Sequence, residues 1–444
     1  MVESHDAVAV AVDAAEAINR DQSALAWCAL PTWEASGFLA FLTAHAIERS
    51  DLLKTDGPDD EQRFFRVKQH GGSNALNDAD VVALVAQSLK KAGIADTQPT
   101  PVLWLPGFYS LPVATPLART NLYKEGELYG IDISSGYAVT LLNIQPGEHV
   151  LDLCCAPGAK LTMIADLLEL SGSVTGVDFS RQRIGACKQL VHKYKLIKKT
   201  AVSASEEAAL KKGPSDTSEN DTTAEKDAPT LPVTSWRCRL FHADGRTFNI
   251  GPKTECEQLE DIETVLDTEE IAARGNARGQ QQRKRKNKSA RARDAKRLKV
   301  DVVHDAALYD KVLVDAECTH DGSIRHLQKN DSLEKWMDYV ENHLSDSNIE
   351  RILKLQHALI RNGFKMLKAG GEMIYSTCSL SVKQNEGIVR EFLKDTLTAT
   401  LLPIDRTGIP CQEGRLAGTV RFTPAQNTSG LFIAKIRKTN AVAE

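Results

Sequence analysis

The chain has 444 residues, of which 42% are hydrophobic and 26% charged, and its formal net charge is −4. This length indicates two or three domains with a large apolar core, and no run of about 18 apolar residues suggests a membrane helix. Nine cysteines, an odd number, do not suit a disulfide scaffold and favour a reducing compartment. Acidic residues at positions 3 and 6 argue against a secretory or mitochondrial leader.

Residues 1–125 predict a separate N-terminal α+β domain. Apolar residues recur at helical spacing near 24–55 and 78–92, and Phe64–Lys68 has the alternation of a short strand. A proline-rich segment follows, and residues 126–440 form the second predicted domain.

The second domain alternates strands and helices, which predicts an α/β fold with a parallel sheet covered on both faces. The predicted strands are Val150–Cys155, Val174–Phe179, Arg239–Ala243, Lys311–Asp315 and Glu372–Thr377. The predicted helices are Lys160–Leu170, Arg181–Leu196, Ile349–Leu367 and Gln384–Leu393. We expect the glycine pair Gly370-Gly371 to stop the third helix.

Two long inserts, at about 198–233 and about 252–304, interrupt this alternation. Their composition cannot bury enough apolar surface to offset chain entropy, so we expect both to be disordered. The second contains a run at 274–299 with twelve basic residues and one acid. This run could bind RNA phosphates, form a nuclear-import signal read by an import receptor, or be a solvated charged loop. An import signal predicts a nuclear or nucleolar location, with the cytoplasm as the alternative, and an unchanged location after deletion of 274–299 would contradict import.

Acidic residues mark three predicted strand ends, where open α/β sheets bind their ligands. Asp152 and Asp178 lie in the first two strands, and Asp244 follows the third. Asp178 comes 20 residues after Gly158, near the separation at which dinucleotide folds place a ribose-binding acid. The turn 154–160 has one glycine instead of the three that a pyrophosphate requires, which favours an adenosine ligand without pyrophosphate, such as S-adenosylmethionine. A generic strand-turn-helix with solvated acids is the alternative.

Two cysteines follow the last two predicted strands. Cys318 and Cys378 could reach one ligand if those strands are neighbours, about 4.8 Å apart. A thiolate that adds to carbon 6 of a pyrimidine makes carbon 5 reactive toward an activated methyl group. Asp315 could then stabilise the adduct at the N3 and amino edge of the base.

Inert buried thiols and a zinc site are the alternatives for these cysteines. We assign the inert role to Cys28, Cys187, Cys238, Cys256 and Cys411. We do not favour zinc, because no CxxC pair is present and Cys238 with His242, or Cys318 with His320, forms at most half a site.

An ordered set of motifs resembles the RNA cytosine-5 methyltransferases of the Sun (Nol/Nop) family. The set is LDLCCAPGAKLTMIADLL, VDF, HADGRTF, KVLVDAECT and YSTCSLSVKQNEGIV, and RFTPAQNTSGLFIAK resembles the family's closing strand. The resemblance covers most of 102–195, 237–248, 308–395 and 421–435, and FFRVK is similar to part of the family's N-terminal RNA-binding domain. It implies a Rossmann-like class I methyltransferase sheet, S-adenosylmethionine as cofactor, and RNA as substrate.

The resemblance also implies residue roles. Cys378 would be the nucleophile, Cys318 would assist product release, Asp315 would hold the flipped cytosine, and Lys160 would lie near it. Asp178 would bind the cofactor ribose, Asp244 would contact the adenine side, and the turn Cys154–Lys160 would cradle the methionine part. The implied cofactor-binding set is Cys154, Cys155, Ala156, Pro157, Gly158, Ala159, Lys160, Asp178, Arg183, Asp244, Gly245 and Asp315.

The chain departs from the family pattern at five positions. It has Glu317 for proline, Thr319 for serine, Cys155 for alanine, Ala159 for glycine and Leu161 for threonine. Glu317 adds backbone freedom and a charge beside Cys318, and the methyl group of Ala159 fits if φ is negative there.

We therefore predict an S-adenosylmethionine-dependent enzyme that methylates carbon 5 of cytosine in rRNA or tRNA, acting as a monomer without a membrane partner. One alternative is a catalytically weak RNA-binding factor of ribosome assembly that keeps the fold. A methyltransferase for amines or small molecules would leave both cysteines idle, and a nicotinamide oxidoreductase would need the missing glycines.

Overall fold

The computed structural model describes residues 30–52, 61–68, 76–94, 97–197, 236–254, 261–269, 271 and 308–440. Cys28, Cys256, the basic run 274–299 and most of both predicted inserts lie outside these residues, so the predictions made for them stay predictions. Among the described helices, none has both the length and the apolar character needed to cross a bilayer.

The N-terminal part contains a small antiparallel sheet of order β2-β3-β1-β4. Its strands are Gln62–Val67 (β1), Thr100–Pro101 (β2), Phe108–Pro112 (β3) and Leu128–Gly130 (β4). The strand predicted at Phe64–Lys68 is confirmed, and β4 completes the sheet beyond residue 125. The helices of this part are Leu30–Ser36 (α1), Phe38–Ala44 (α2), Arg49–Leu52 (α3), Asp78–Lys91 (α4) and Asn121–Lys124 (α5).

Helix α4 packs on the small sheet as the predicted domain requires, and the short α5 adds Leu122 and Tyr123 to the same apolar cluster. The apolar face of α4 buries Val81, Val85 and Leu89 against Phe65 of β1. Helices α1 to α3 instead join an aromatic cluster with a later segment of the chain, in which the Phe38 ring lies 4.9 Å from that of Trp336.

The larger sheet has order β12-β13-β14-β10-β9-β5-β6-β7-β8, with β11 also paired to β14. Its strands are His149–Asp152 (β5), Gly172–Asp178 (β6), Trp236–His242 (β7), Glu263–Asp267 (β8), Tyr309–Asp315 (β9), Leu367–Thr377 (β10), Ala399–Leu402 (β11), Gln412–Glu413 (β12), Val420–Phe422 (β13) and Leu431–Lys438 (β14). The run β10-β9-β5-β6-β7 is parallel, as predicted, while β8 and β14 are antiparallel additions to it.

Helices cover both faces of the larger sheet, which confirms the predicted α/β architecture. Val150 and the next residue, Leu151, point to opposite faces. Val150 packs in the cluster that includes Ile164 and Ile184, and Leu151 packs with Leu359. The helices of this part are Ile133–Thr140 (α6), Ala159–Leu167 (α7), Arg181–Lys193 (α8), Ile324–Leu327 (α9), Leu333–Asp338 (α10), Asp346–Lys365 (α11) and Ile388–Asp395 (α12).

The structure corrects the start of the second predicted insert. Strand β8 lies inside the range 252–304 and pairs with β7 as an ordered edge strand. Its composition predicted disorder, but Asp267 accepts a 2.7 Å hydrogen bond from Nη2 of Arg237 on β7 and Leu266 is buried. The positive charge of Arg237 on the neighbouring strand thus offsets the charge of Asp267, which would otherwise need solvent.

The role predicted for Gly370-Gly371 is also wrong. Helix α11 already ends at Lys365, and both glycines lie within β10, where the register to β9 shifts between Leu367 and Glu372. Gly370 has φ +80°, and a Cβ on Gly371 would lie 2.7 Å from the carbonyl oxygen of Asp310. The pair therefore shapes an irregular strand rather than a helix end.

Candidate active site

The two cysteines converge at the carboxyl ends of β9 and β10. These strands are parallel neighbours with Asp315 opposite Ser376, so the loops that follow them leave the sheet side by side. The Sγ atoms of Cys318 and Cys378 lie 3.4 Å apart, and both residues are free cysteines. Cys318 is 1% exposed, whereas Cys378 is half-buried. An approaching substrate would therefore meet Cys378 first.

The two sulfurs differ in their surroundings. Burial, followed by the hydrogen bond with Cys378 and its charge, raises the pKa of Cys318 well above the ordinary value, although His320 opposes this rise. Cys318 is therefore a protonated thiol near neutral pH. Because the thiolate is the reactive form of cysteine, the buried Cys318 is the less suited of the two to act as a nucleophile.

Asp315 and Lys160 form an ion pair beside the sulfurs. Asp315 accepts hydrogen bonds of 2.7 Å from the Lys160 ammonium and of 2.7 Å from the Ser376 hydroxyl. Burial opposes the charge on Lys160, but the charge and hydrogen bond of Asp315 more than offset it, so the pKa of Lys160 is raised. The structure thus brings together the four residues for which the sequence predicted a catalytic role.

The turn before α7 adopts the tight shape expected of a ligand cradle. Gly158 has φ +110°, and a Cβ there would meet Cys187 and Leu190 at 3.3 Å. Ala159 is the first residue of α7 and does not have a positive φ, so the backbone there accommodates the methyl group that it has in place of the family's glycine. The Arg183 guanidinium donates to the carbonyl of Ala156 and fixes the turn against α8.

Asp178 ends β6 and Asp244 follows β7, and both carboxylates accept hydrogen bonds from groups in the loops around them. Asp178 accepts hydrogen bonds from the backbone N–H of Ala156 at 3.2 Å and of Ser180 at 2.8 Å. The hydrogen bond from Arg246 is the main reason that the pKa of Asp244 is lowered. Gly245 leaves no room for a side chain, since a Cβ would lie 2.9 Å from Leu359. Each carboxylate can accept further hydrogen bonds, as ribose or adenine binding would require.

Asp152 provides a test of whether the cleft fits a cationic cofactor. It is 1% exposed, and neither of its carboxylate oxygens accepts a well-formed hydrogen bond from the described residues. Burial and the charge of Asp315 raise its pKa to about 8, which Lys160 and the Cys154 backbone N–H only partly oppose. The methionine part of S-adenosylmethionine carries an ammonium group, which fits this buried acid. A generic solvated strand end, the alternative from sequence, does not describe Asp152.

The loop of Cys318 is fixed without the proline that the family pattern has at position 317. The Glu317 carboxylate points to the surface and pairs with Arg351 at 2.6 Å, while its carbonyl accepts a 2.8 Å hydrogen bond from Gln356. The Gln384 side chain bonds both the backbone N–H and the hydroxyl of Thr319, at 3.1 and 2.8 Å. Side-chain hydrogen bonds therefore restrict the freedom expected at Glu317.

The loop of Cys378 is held by inward-pointing polar side chains. Buried Asp321 accepts hydrogen bonds from the hydroxyl of Ser379 and the backbone N–H of Leu380, and Asn385 donates to the Ser379 carbonyl at 2.8 Å. The chain forms a π-helical turn over Lys383–Gly387, in which the side chains of Gln384 and Asn385 are buried. The helix predicted from Gln384 consequently begins only at Ile388.

His320 joins the two cysteines, a position that the sequence did not predict. Its Nδ1 lies 2.9 Å from Sγ of Cys378 and 3.7 Å from Sγ of Cys318. The sequence placed this histidine only in half of a zinc site, although its position two residues after Cys318 was a usable signal. The three ligand-type atoms lie within 4.8 Å of one another, and within the described ranges no other His, Cys, Asp or Glu joins them. A closed structural zinc site has four ligands, one more than this cluster offers.

Comparison with known proteins gives a family match over most of the larger domain. The family model described as 16S rRNA methyltransferase RsmB/F matches residues 139–219 and 254–437. Ribosomal RNA small subunit methyltransferase F of Shewanella piezotolerans is 31% identical over 142 residues, which is 30% of this chain and 27% of that protein. Methyltransferase B of an Enterobacter species is 26% identical over 341 residues, covering 77% of this chain and 50% of the relative. The matches thus span about a quarter to a half of these relatives.

Two archaeal structures share the fold. A methyltransferase homolog protein from Pyrococcus horikoshii has a TM-score of 0.51 and 20% identity, covering 94% of this chain and 92% of that one. NSun6 from the same organism, solved with SFG, has a TM-score of 0.53 and 16% identity, covering 92% and 97%. These likenesses confirm the class I methyltransferase fold predicted from sequence.

Proposed function

The chain belongs to the RsmB/F family of 16S rRNA methyltransferases, and from this premise we propose that it transfers a methyl group from S-adenosylmethionine to carbon 5 of a cytosine in RNA. The observation that carries the proposal is the 3.4 Å pair of sulfurs beside the Lys160–Asp315 ion pair. Because the relatives are named ribosomal RNA methyltransferases, we favour ribosomal RNA over tRNA as the substrate.

Each residue of the cluster then has a defined task. The Cys378 thiolate forms a bond to carbon 6 of the cytosine, and the displaced electron pair makes carbon 5 nucleophilic. S-adenosylmethionine, when bound, supplies the electrophilic methyl group. Asp315 accepts a hydrogen bond from the amino group of the base, and Lys160 keeps Asp315 ionised. Water then takes the carbon-5 proton, and the electron pair of that C–H bond re-forms the double bond between carbons 5 and 6. The bond between Cys378 and carbon 6 breaks with the thiolate as the leaving group, and Cys318 lies close enough to assist that release.

Identification of the methylated nucleoside tests this proposal. The purified chain is incubated with methyl-labelled S-adenosylmethionine and unmodified ribosomal RNA, and we expect the label in 5-methylcytidine after nuclease digestion. Bisulfite sequencing of total RNA with and without the gene then locates the cytosine. Label in another nucleoside would refute the reaction. Cofactor binding without transfer to any RNA fraction would support a non-catalytic RNA-binding factor instead.

Cofactor affinity is expected to depend on pH through Asp152. Its carboxyl is mostly protonated below its pKa of about 8, and it must lose that proton to pair with the cofactor ammonium. Affinity for S-adenosylmethionine should therefore rise as pH increases towards 8, by up to about tenfold per pH unit, and level off above it. Calorimetric titration across this range measures the effect, and Asp152→Asn should bind more weakly with no such slope. An equally steep slope in Asp152→Asn would assign the proton to another group.

Nuclear import and RNA binding by the basic run remain predictions from sequence, because residues 274–299 lie outside the described ranges. The proposed monomeric state and the RNA-binding role of the N-terminal part are likewise our predictions. Filter binding of RNA by a variant that lacks 274–299 would contradict the RNA-binding role of that run if affinity were unchanged.

A further inference from the structure

We propose that His320 accepts the thiol proton of Cys378 and so generates the thiolate that attacks the cytosine. This inference rests on the proposed function for its substrate, but the proton transfer itself involves only residues of this chain. The proton leaves Sγ of Cys378 and binds Nδ1 of His320, which gives an imidazolium beside a thiolate. When the bond between sulfur and carbon 6 later breaks, the thiolate returns and can take the proton back, so the step needs no co-reactant.

The position of the His320 ring suits this transfer. Its Nδ1 is 2.9 Å from Sγ of Cys378, within the reach expected of a nucleophile and its base, and 0.8 Å farther from Cys318. The more exposed of the two thiols is thus the one closer to the base.

The backbone and neighbouring rings hold His320 in this position. Its φ is +57°, a left-handed conformation that few non-glycine residues adopt and that often marks functional sites. The ring stacks on His326, with centroids 4.5 Å apart, and is nearly parallel to His343 at 6.1 Å. The imidazole is therefore fixed before any substrate arrives.

Within this stack, the surroundings favour a proton on His320 rather than on its neighbours. Burial opposes the charge on His320, but the neighbouring groups, among them the carboxylates of Asp321 and Asp315, more than offset it and raise its pKa. Burial and the charge of His320 lower the pKa of His326 to about 4 and also lower that of His343. Environments that separate the pKa values of adjacent groups are typical of acid–base sites. Among the described residues, the ionisable and charged groups around the stack include Asp315, Glu317, Cys318, Asp321, His326, Lys329, Asp338, Tyr339, His343, Cys378 and Arg183.

Alkylation of Cys378 by iodoacetamide tests the proposal without RNA or cofactor. The rate is followed by peptide mass spectrometry from about pH 5 to about pH 10, and Cys378→Ala identifies the signal. In the wild type we expect rapid alkylation at neutral pH. In His320→Asn, which keeps a residue tolerant of the left-handed backbone, the rate at pH 7 should fall at least about tenfold and recover near the ordinary thiol pKa of about 8.5.

Matched variants separate the proton role from a structural one. His326→Asn removes an imidazole from the same stack without touching sulfur, and we expect its alkylation profile to remain close to that of the wild type. In His320→Gly, added imidazole should restore rapid alkylation. An unchanged profile in His320→Asn overturns the proposal, and so does a wild-type profile that a chelator alters, since a metal ion would then hold the cluster. A wild type that alkylates as expected but methylates no RNA refutes the proposed function and leaves the His320–Cys378 pair standing.

Discussion

Cys378→Ala is expected to lower methyl transfer to RNA by at least about a thousandfold, because it removes the only step that makes carbon 5 of cytosine nucleophilic. The neighbouring Cys318 cannot replace it, since it is 1% exposed and its pKa is raised well above the ordinary value. Initial rates with labelled S-adenosylmethionine and ribosomal RNA measure the effect. Binding of the cofactor should be unchanged, which shows that the variant is folded.

Two further cysteine variants make this result specific. Cys411→Ala alters a buried thiol outside the cluster, whose pKa burial raises to about 11, and it should retain activity. Cys318→Ala should instead slow release of the product, so that a covalent complex of protein and RNA accumulates on a denaturing gel. Full activity of Cys378→Ala would mean that the nucleophile is wrongly assigned. A covalent complex in Cys378→Ala would assign that role to Cys318.

The features predicted from sequence are those that local patterns determine. The alternation of strands and helices, and polar residues placed just after buried strands, predicted the central sheet and the meeting of Cys318 with Cys378. That meeting required only that β9 and β10 be neighbours, because parallel strands end at the same edge of a sheet.

The remaining features depend on contacts between distant segments. Strand β8 is stabilised by Arg237 on β7, and Gln384 in the π-helical turn at Lys383–Gly387 accepts a hydrogen bond from Thr319, 65 residues earlier in the chain. Composition and periodicity carry no information about such pairs. His320 was missed for the same reason, since its importance comes from contact with Cys378, 58 residues away.

Arg421→Met is expected to lower the free energy of unfolding by about 3–5 kcal/mol, because it leaves the Glu386 carboxylate buried without its cation. The side chains of this pair are 8% and 0% exposed, and Nε of Arg421 donates to Glu386 at 2.7 Å. Arg421 also donates to the carbonyl of Leu380, two residues after the proposed nucleophile. Denaturant unfolding at constant m measures the stability change, and kcat should fall because the loop of Cys378 loses a support.

An exposed ion pair on the same domain serves as the control. Arg361 and Asp395 lie 2.9 Å apart with side chains 46% and 55% exposed, so Arg361→Met should cost less than about 1 kcal/mol. Replacing both Arg421 and Glu386 by apolar residues should recover much of the loss, since no buried charge then remains. If Arg421→Met were no more destabilising than Arg361→Met, the buried pair would not hold the loop. The placement of Cys378 would then depend on the other polar contacts of that loop, among them those of Asp321 and Asn385 and the 3.0 Å hydrogen bond from the Gly322 N–H to the Cys378 carbonyl.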